Sequence, residues 1–224
     1  MPQRYKKTVL MMRAVSGSGK TTISKCIVNS FKSKELSVGI HSTDNYFMVD
    51  DKYVFDISKL AKFHNQNLIN FETDLTNNLD IVICDNMNLL PWQSEEYTNL
   101  ARRYNYKIVF VNFLPRELNK HLAAQIVTPE KPDAHNLSED LLKRLIDDFH
   151  AYNGLLDLNN SIIVGQHYLY VWDEVKCERV KTEIPAKHFD SDYVLTIHPK
   201  EYKEIQVSIG HTLLNLIEIK EGDK

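Results

Sequence analysis

The chain from residue 8 to residue 22 reads TVLMMRAVSGSGKTT. An apolar strand runs here into a loop that holds Gly17 and Gly19, and the pattern after the loop predicts a helix. A loop that wraps a polyphosphate must turn successive backbone N–H groups inward and take φ values that glycine tolerates best. The stretch therefore predicts a phosphate-binding loop at the start of the first helix, where the helix dipole favours an anion.

The side chains of this loop fit the same interpretation. Lys20 would place its ammonium between the β- and γ-phosphates of a nucleoside triphosphate, and Thr21 would offer its hydroxyl to Mg²⁺. Ala14 stands where the common pattern has glycine, at a position that tolerates a methyl group better than those that touch phosphate. The alternative interpretation is a Gly/Ser turn before an amphipathic helix. The residues expected to bind the nucleotide are Ser16, Gly17, Ser18, Gly19, Lys20, Thr21 and Thr22.

Composition limits the class of protein. The 224 residues suffice for a full core, and a net charge of −3 provides no basic field that would attract nucleic acid to the whole surface. Cys26, Cys84 and Cys177 are widely spaced and have no metal-ligand neighbours, which favours free thiols in a reducing compartment. No apolar stretch of the sequence is long enough to cross a membrane. We therefore expect a soluble, cytoplasmic protein without a membrane partner.

Strand and helix patterns alternate along the first 150 or so residues, as in an α/β fold with a doubly wound, mostly parallel sheet and helices on both faces. Predicted strands cover residues 8–12, 38–41, 81–84 and 107–113, and predicted helices cover residues 22–31, 55–77, 91–104 and 138–149. Between them, residues 115–136 are polar and interrupted by prolines, which predicts a mobile lid.

The C-terminal part of the sequence is predicted to be rich in β-structure. Its strand candidates are residues 162–164, 168–172, 193–197 and 205–209. One of the first two is expected to complete the parallel sheet. A chain ending near residue 175 is therefore expected to keep its nucleotide binding.

Two predicted strands end in acidic residues that should lie beside the loop. Asp44 follows the strand at residues 38–41, and Asp85 follows the strand at residues 81–84. The carboxyl ends of parallel strands border the ligand crevice of an open α/β sheet. Asp44 could accept the proton of an attacking hydroxyl and Asp85 could hold Mg²⁺ through water, or each could cap a turn. After Asp44, the aromatic pair at residues 46–47 could stack on a nucleobase or belong to the core.

Residues 12–20, 42–47 and 85–88 carry three motifs in an order that resembles the polynucleotide 5′-hydroxyl kinase group of P-loop proteins. That group includes phage polynucleotide kinase and the kinase-like domain of myelin cyclic-nucleotide phosphodiesterase. The likeness covers roughly residues 8–150. It implies ATP and Mg²⁺ as cofactors, Asp44 as the base, Asp85 on the metal side and a basic lid.

The lid departs from the family pattern. Lys120 and His121 stand where the relatives usually carry arginines, and uncharged residues follow them. A lid cation stabilises charge on the transferred phosphoryl group, so Lys120 is the candidate for that catalytic role. Weak or absent activity is the consequence to be tested.

The residues and the resemblance together favour an ATP-dependent kinase that phosphorylates the 5′-hydroxyl end of a nucleic acid. Residues 1–160 would form the P-loop kinase domain, with the lid at about 115–136, and residues 161–224 an extension whose protein partner is unknown. A small-metabolite kinase is the first alternative, because the same core serves both reactions and the surface is not basic. A non-catalytic nucleotide-binding module that recruits a partner through the extension is the second. DNA and RNA, and likewise ATP and GTP, fit the pattern equally.

Overall fold

The computed structural model describes residues 5–128, 134–151, 169–173, 178–182 and 190–219. Its helices and strands, in chain order, are β1 Thr8–Arg13, α1 Lys20–Lys32, β2 Val38–His41, β3 Met48–Val49, β4 Lys52–Tyr53, α2 Leu60–Thr76, β5 Ile81–Cys84, α3 Pro91–Arg103, β6 Lys107–Phe113, α4 Leu118–Ala124, α5 Glu139–Ala151, β7 Leu169–Asp173, β8 Glu178–Thr182, β9 Tyr193–Ile197 and α6 Tyr202–Ile217. Among these described helices, none combines the length and the apolar character that crossing a lipid bilayer requires.

The central sheet has five parallel strands in the order β2-β5-β1-β6-β9. Its middle strand, β1, is buried along its whole length because strands cover both of its edges and helices cover both faces. Leu10 and Met12 pack with α1 and α6 on one face. Val9 and Met11 pack with α2 and α3 on the other. The predicted α/β fold with a parallel sheet between helical layers is confirmed.

The strand order places the phosphate-binding loop at the centre of the sheet edge. From β1, strands β5 and β2 extend to one side and strands β6 and β9 to the other. The carboxyl ends of strands at such a switch point border a crevice that binds ligands. The loop that follows β1 enters this crevice, and its residues Gly17 and Gly19 have φ angles of 81° and 87°.

Arg13, the last residue of β1, lies in the core directly before the phosphate-binding loop and bonds to three other segments of the chain. Its guanidinium is fully buried and donates to Asn112 Oδ1 at 2.9 Å, to the Phe149 carbonyl at 2.9 Å and to the Leu89 carbonyl at 3.1 Å. Burial lowers the pKa of Arg13 to about 9. This arginine therefore ties β1 to β6 and to the end of α5.

The fifth strand of the sheet comes later in the chain than predicted. Residues 168–172 fall mostly within β7, which pairs with β8 in a separate antiparallel hairpin, while β9 pairs with β6. The other candidate, residues 162–164, lies outside the described residues. The expectation that the sheet is complete before residue 175 is wrong, because its fifth strand, β9, begins at Tyr193. The boundary at residue 160 stays a prediction.

Residues 205–209 were expected to form a strand but lie in α6, so this prediction is wrong. Alternating apolar residues suggest a strand, yet the buried residues Ile209, Leu213 and Ile217 recur every four positions, as on one face of a helix. They pack against α1, a surface that is distant in sequence. Val207 is 88% exposed on the outer side of α6.

The segment predicted to be a lid is partly a packed helix. Within residues 115–136, α4 places Leu118 and Leu122 against Leu142 and Phe149 of α5. Residues 129–133 lie outside the described part of the chain. The closing motion of a lid therefore stays a prediction.

Candidate functional site

The phosphate-binding loop is supported from outside by α4 and α6. Gln125 Nε2, just after α4, donates to Ser16 Oγ at 3.1 Å, and Tyr202 Oη, at the start of α6, donates to the Gly19 carbonyl at 2.9 Å. A Cβ atom on Gly19 would lie 2.1 Å from that hydroxyl oxygen. Glycine is therefore required at position 19 both by its positive φ and by the close approach of Tyr202.

His121 is fully buried against the same loop. The backbone N–H of Arg116 donates to His121 Nε2 at 3.0 Å, so Nδ1 carries the hydrogen and donates to the Ser16 carbonyl at 2.8 Å. Burial lowers the pKa of His121, although the hydrogen bond to Ser16 opposes this effect. The neutral ring thus supports the loop. It therefore does not supply the cation of a lid arginine.

Lys20 and Asp85 form an ion pair beneath the loop. Lys20 Nζ lies 3.0 Å from Asp85 Oδ1 and donates to the Asp85 carbonyl at 2.5 Å. Ser24 Oγ donates to the same carboxylate oxygen at 3.0 Å. The side chains of Lys20 and Asp85 are 11% and 3% exposed. A γ-phosphate in the loop would therefore compete with Asp85 for the ammonium of Lys20.

The polar groups of the loop fit a nucleotide with its divalent cation. Ser18 Oγ is buried and has no hydrogen-bond partner among the described residues, as expected of a loop that meets phosphate oxygens. Thr21 and Asp85 offer oxygen ligands, which Mg²⁺ prefers. No cluster of three or more His, Cys, Asp or Glu residues is found in the described part of the chain.

Two cavities meet at the loop. The phosphate-loop cavity has a volume of about 410 Å³ and is bounded by the loop, Arg116 and Tyr202. The Asp44 cavity has a volume of about 400 Å³ and extends past Tyr53. The side chains that line both cavities are Thr21, Lys25, Asp44 and His135. We call these four residues the junction, because each of them lines both cavities.

Asp44 lies in a short 3₁₀ turn, Thr43–Phe47, directly after β2. Tyr53 Oη, from the β3–β4 hairpin, donates to Asp44 Oδ1 at 3.3 Å, and His135 Nε2 lies 3.6 Å from Asp44 Oδ2. The rings of Tyr53 and His135 stack with centroids 4.1 Å apart. Burial and the Asp44 carboxylate raise the pKa of Tyr53, which therefore remains a hydrogen-bond donor. With 43% of its side chain exposed, Asp44 is accessible to an acceptor.

The two aromatic residues that follow Asp44 pack within the fold. Phe47 is 2% exposed and meets Phe63 edge-on at 4.8 Å between ring centroids. Tyr46 stacks on the same Phe63 ring, and its hydroxyl accepts a hydrogen bond from Asn70 Nδ2 at 2.7 Å. Of the two roles considered for them, the structure favours the core over a nucleobase platform.

The cations near the loop are arranged differently from expectation. Lys120 is exposed on α4 and lines neither cavity, so its catalytic role stays a prediction that this conformation does not support. Arg116 lines the phosphate-loop cavity, where Nη2 donates to the Ser18 carbonyl at 3.1 Å. Its guanidinium carbon lies 4.7 Å from the centre of the Tyr202 ring. Lys25 lines both cavities.

The sequence interpretation missed several residues of this site. Lys25 lies four residues after Thr21 on a predicted helix, so the spacing alone would have placed both on one face. Tyr53, His135 and Tyr202 belong to no motif, and no signal in the sequence indicated them. Their position follows from how the hairpin, the segment before α5 and α6 pack around the loop.

Comparison with known families gives a match over most of the chain. The sequence model of the family described as "Chromatin associated protein KTI12" matches residues 10–155. Human NEDD4-binding protein 2 is 24% identical over 150 residues, which cover 64% of this chain and 8% of that protein. The chain thus spans less than a tenth of the length of this relative.

Solved structures share the fold. A putative kinase from Chloroflexus aurantiacus superposes with a TM-score of 0.54 at 11% sequence identity, over 94% of this chain and 98% of that one. The protein APE1195 superposes with a TM-score of 0.50 at 14% identity, over 95% and 97% of the two chains. At these identities the likeness shows the fold alone, which is that of P-loop kinases.

Proposed function

Because the chain belongs to the KTI12 family, which has a P-loop kinase-like fold, we propose that it transfers the γ-phosphoryl group of ATP to a hydroxyl acceptor in the Asp44 cavity. The observation that carries this proposal is the junction. Asp44 and Thr21 line both cavities, so a carboxylate and a phosphate-end hydroxyl face the point where donor and acceptor would meet. A site that only stores a nucleotide does not require a second cavity at its phosphate end.

Each part of the site has its own role in the proposed reaction. The backbone of the loop holds the phosphates, and Lys20 exchanges its contact with Asp85 for one with the phosphates when ATP binds. Asp44 accepts the proton of the acceptor hydroxyl as that oxygen attacks the γ-phosphorus. Mg²⁺, when bound near Thr21 and Asp85, would neutralise phosphate charge. Tyr53 and His135 keep the Asp44 carboxylate at the wall of the cavity.

We propose the 5′-hydroxyl end of a nucleic acid as the acceptor. The resemblance of the three motifs to the polynucleotide 5′-hydroxyl kinase group supports this choice, and so does the description of the family as chromatin associated. The Asp44 cavity, at about 400 Å³, lies within the usual range of pockets for small molecules and single nucleotides. A small-metabolite acceptor is compatible with the same volume.

A second candidate is a nucleotide-binding module without transferase activity. The placement of Lys120 outside both cavities favours it, because the conformation then lacks the lid cation of the related kinases. The name of the human relative indicates that it binds another protein, which agrees with a recruiting role. Nucleotide binding is common to both candidates.

The proposal is tested by incubating the full chain with γ-labelled ATP and single-stranded DNA or RNA oligonucleotides that carry a 5′-hydroxyl. Label at the 5′ end supports the proposal. The same oligonucleotides with a 5′-phosphate are the matched control, because they lack the acceptor group. If the protein binds nucleotide but labels no oligonucleotide, a nucleic-acid acceptor is contradicted. If it also transfers no label to a mixture of small metabolites, the nucleotide-binding module without transferase activity is favoured.

A further inference from the structure

Lys25 lies in the second turn of α1, at the wall between the two cavities. Thr21, one helical turn earlier, lines both cavities as well, so one face of α1 forms this wall. Long side chains on a helix lean toward its N-terminus and cover the preceding turn. The ammonium of Lys25 is therefore carried toward Thr21 and the phosphate-binding end of the helix.

The other cations that line the cavities already have partners. Lys20 pairs with Asp85, and Arg116 donates to the Ser18 carbonyl while it lies over the Tyr202 ring. Within the part of the chain that the structure describes, Lys25 makes no hydrogen bond or ion pair, and it is exposed within the cleft. Among the described lysines and arginines of the two cavities, it is the one whose charge is not satisfied by the protein.

We propose that Lys25 is a catalytic residue that contacts the transferred phosphoryl group at the junction. This assignment rests on the proposed phosphoryl transfer. In that step the acceptor oxygen forms a bond to the γ-phosphorus, and the bond between the γ-phosphorus and the bridging oxygen breaks. ADP leaves with that electron pair, and the acceptor proton goes to Asp44. Negative charge spreads over the oxygens of the moving group, so the Lys25 ammonium beside it lowers the barrier.

Such a role would also account for the composition of the lid. Related kinases place lid arginines over the transferred group, whereas Lys120 here is exposed and lines neither cavity. Lys25 lines the junction from α1, a helix that is packed into the core. The positive charge would then be present before any lid movement, and the site could transfer phosphate with an arginine-poor lid.

The first experiment compares Lys25→Met, which removes the charge and keeps the chain length, with Lys25→Arg, which keeps the charge. Lys32→Ala is the matched control, because Lys32 is an exposed lysine in the last turn of the same helix and lines neither cavity. We expect Lys25→Met to lower kcat for transfer by roughly 10²–10³-fold, as when one preorganised donor to a transition state is removed. The KM for ATP should stay within about threefold. Lys25→Arg should recover part of the rate, and Lys32→Ala all of it.

A second measurement needs no acceptor. Aluminium fluoride binds together with Mg-ADP as a planar mimic of the transferred phosphoryl group. The measured quantity is the affinity of the protein for fluorescent ADP, compared with and without aluminium fluoride. We expect the wild type to gain affinity with aluminium fluoride, and Lys25→Met to lose most of that gain while binding ADP alone normally. An equal gain in both proteins would overturn the role of Lys25 and leave the proposed function intact. Absence of label transfer by the wild type to every acceptor tried would contradict phosphoryl transfer itself, and the role of Lys25 with it.

Discussion

The phosphate-loop cavity and the Asp44 cavity, which meet at the junction, are built in different ways. We call the first the nucleotide side and the second the acceptor side, after their proposed roles. On the nucleotide side, the loop is braced by His121 and Tyr202, which come from elements roughly 100 and 180 residues further along the chain. On the acceptor side, Asp44 sits on a short turn, is 43% exposed, and has Tyr53 from the adjacent hairpin as its hydrogen-bond donor. The proposed phosphate site is thus supported by elements distant in sequence. The proposed base, Asp44, lies on an exposed turn whose hydrogen-bond donor is local, and it meets a distant segment through His135 at 3.6 Å.

This difference predicts different consequences of mutation on the two sides. Changes around the phosphate loop should lower both stability and nucleotide binding, since the same contacts serve both. Changes around Asp44 should lower transfer and leave folding and nucleotide binding nearly unchanged. The following predictions test that contrast, from the largest expected effect to the smallest.

Removal of the C-terminal elements should have the largest effect. A chain that ends at residue 175 lacks β9 and α6, so it exposes the edge of β6 and the apolar face of α1. We expect it to be insoluble or unfolded, as judged by circular dichroism and size-exclusion chromatography. A chain that ends at residue 219 keeps both elements and is the control. A soluble, nucleotide-binding chain of 175 residues would show that the nucleotide side does not depend on α6.

Lys20→Ala should reduce transfer by roughly 10³-fold or more, because the loop loses its cation at the β- and γ-phosphates. Nucleotide affinity should fall as well, which label transfer and the binding of a fluorescent ATP analogue would both detect. Asp85 keeps the Ser24 hydroxyl as a partner, and thermal unfolding of the variant shows whether the protein remains folded. Unchanged transfer would mean that the loop is only a structural turn.

Asp44→Asn should lower transfer by roughly 10²–10⁴-fold, the usual range for loss of a general base. The amide keeps the shape of the carboxylate but takes no proton. Nucleotide affinity and the melting temperature should barely change, because the loop holds the donor and the side chain is partly exposed. Loss of binding and folding together would identify Asp44 as a structural cap, and transfer near the wild-type rate would place the base elsewhere.

His121→Gln should make the free energy of unfolding less dependent on pH. The pKa of His121 is lower in the folded than in the unfolded protein, so its contribution to stability is present above pH of about 6.5 and is lost as the pH falls. His41 and His64, whose pKa values burial also lowers, contribute to the same trend in both proteins. Chemical denaturation between pH 5 and pH 8 should show a shallower slope for the variant. It should also show about 1–2 kcal/mol less stability at pH 8. Identical slopes would mean that His121 protonates freely in the folded state.

Tyr53→Phe should have the smallest effect, and it should change transfer without changing nucleotide binding. Loss of one hydrogen bond to Asp44 corresponds to roughly 0.5–1.5 kcal/mol, so we expect kcat to fall about 2- to 13-fold with unchanged nucleotide affinity. Tyr46→Phe is the matched control, because it removes a hydroxyl that bonds to Asn70 instead of Asp44. A drop of equal size in both variants would contradict a specific role for Tyr53.

The motifs and the strands that carry them could be predicted from the sequence because their information is local. An apolar strand, Gly17, Gly19 and Lys20 occur within a few residues, and backbone sterics and helix dipoles act over that distance. The same holds for Asp44 and Asp85, each directly after a strand. The parallel sheet between helical layers followed from the alternation of these patterns. The acceptor stays a prediction, because neither the fold nor the family identifies it.

Tertiary packing decided what lies far apart in the chain. Residues 205–209 alternate like a strand, and only the apolar face of α1 makes a helix the better arrangement for burying Ile209 and its neighbours. The fifth strand could not be chosen among several apolar segments, since the choice depends on which one reaches the edge of β6. Tyr202 meets Gly19 and His135 meets Asp44 for the same reason, because pairwise contacts between distant residues arise only when the whole core forms.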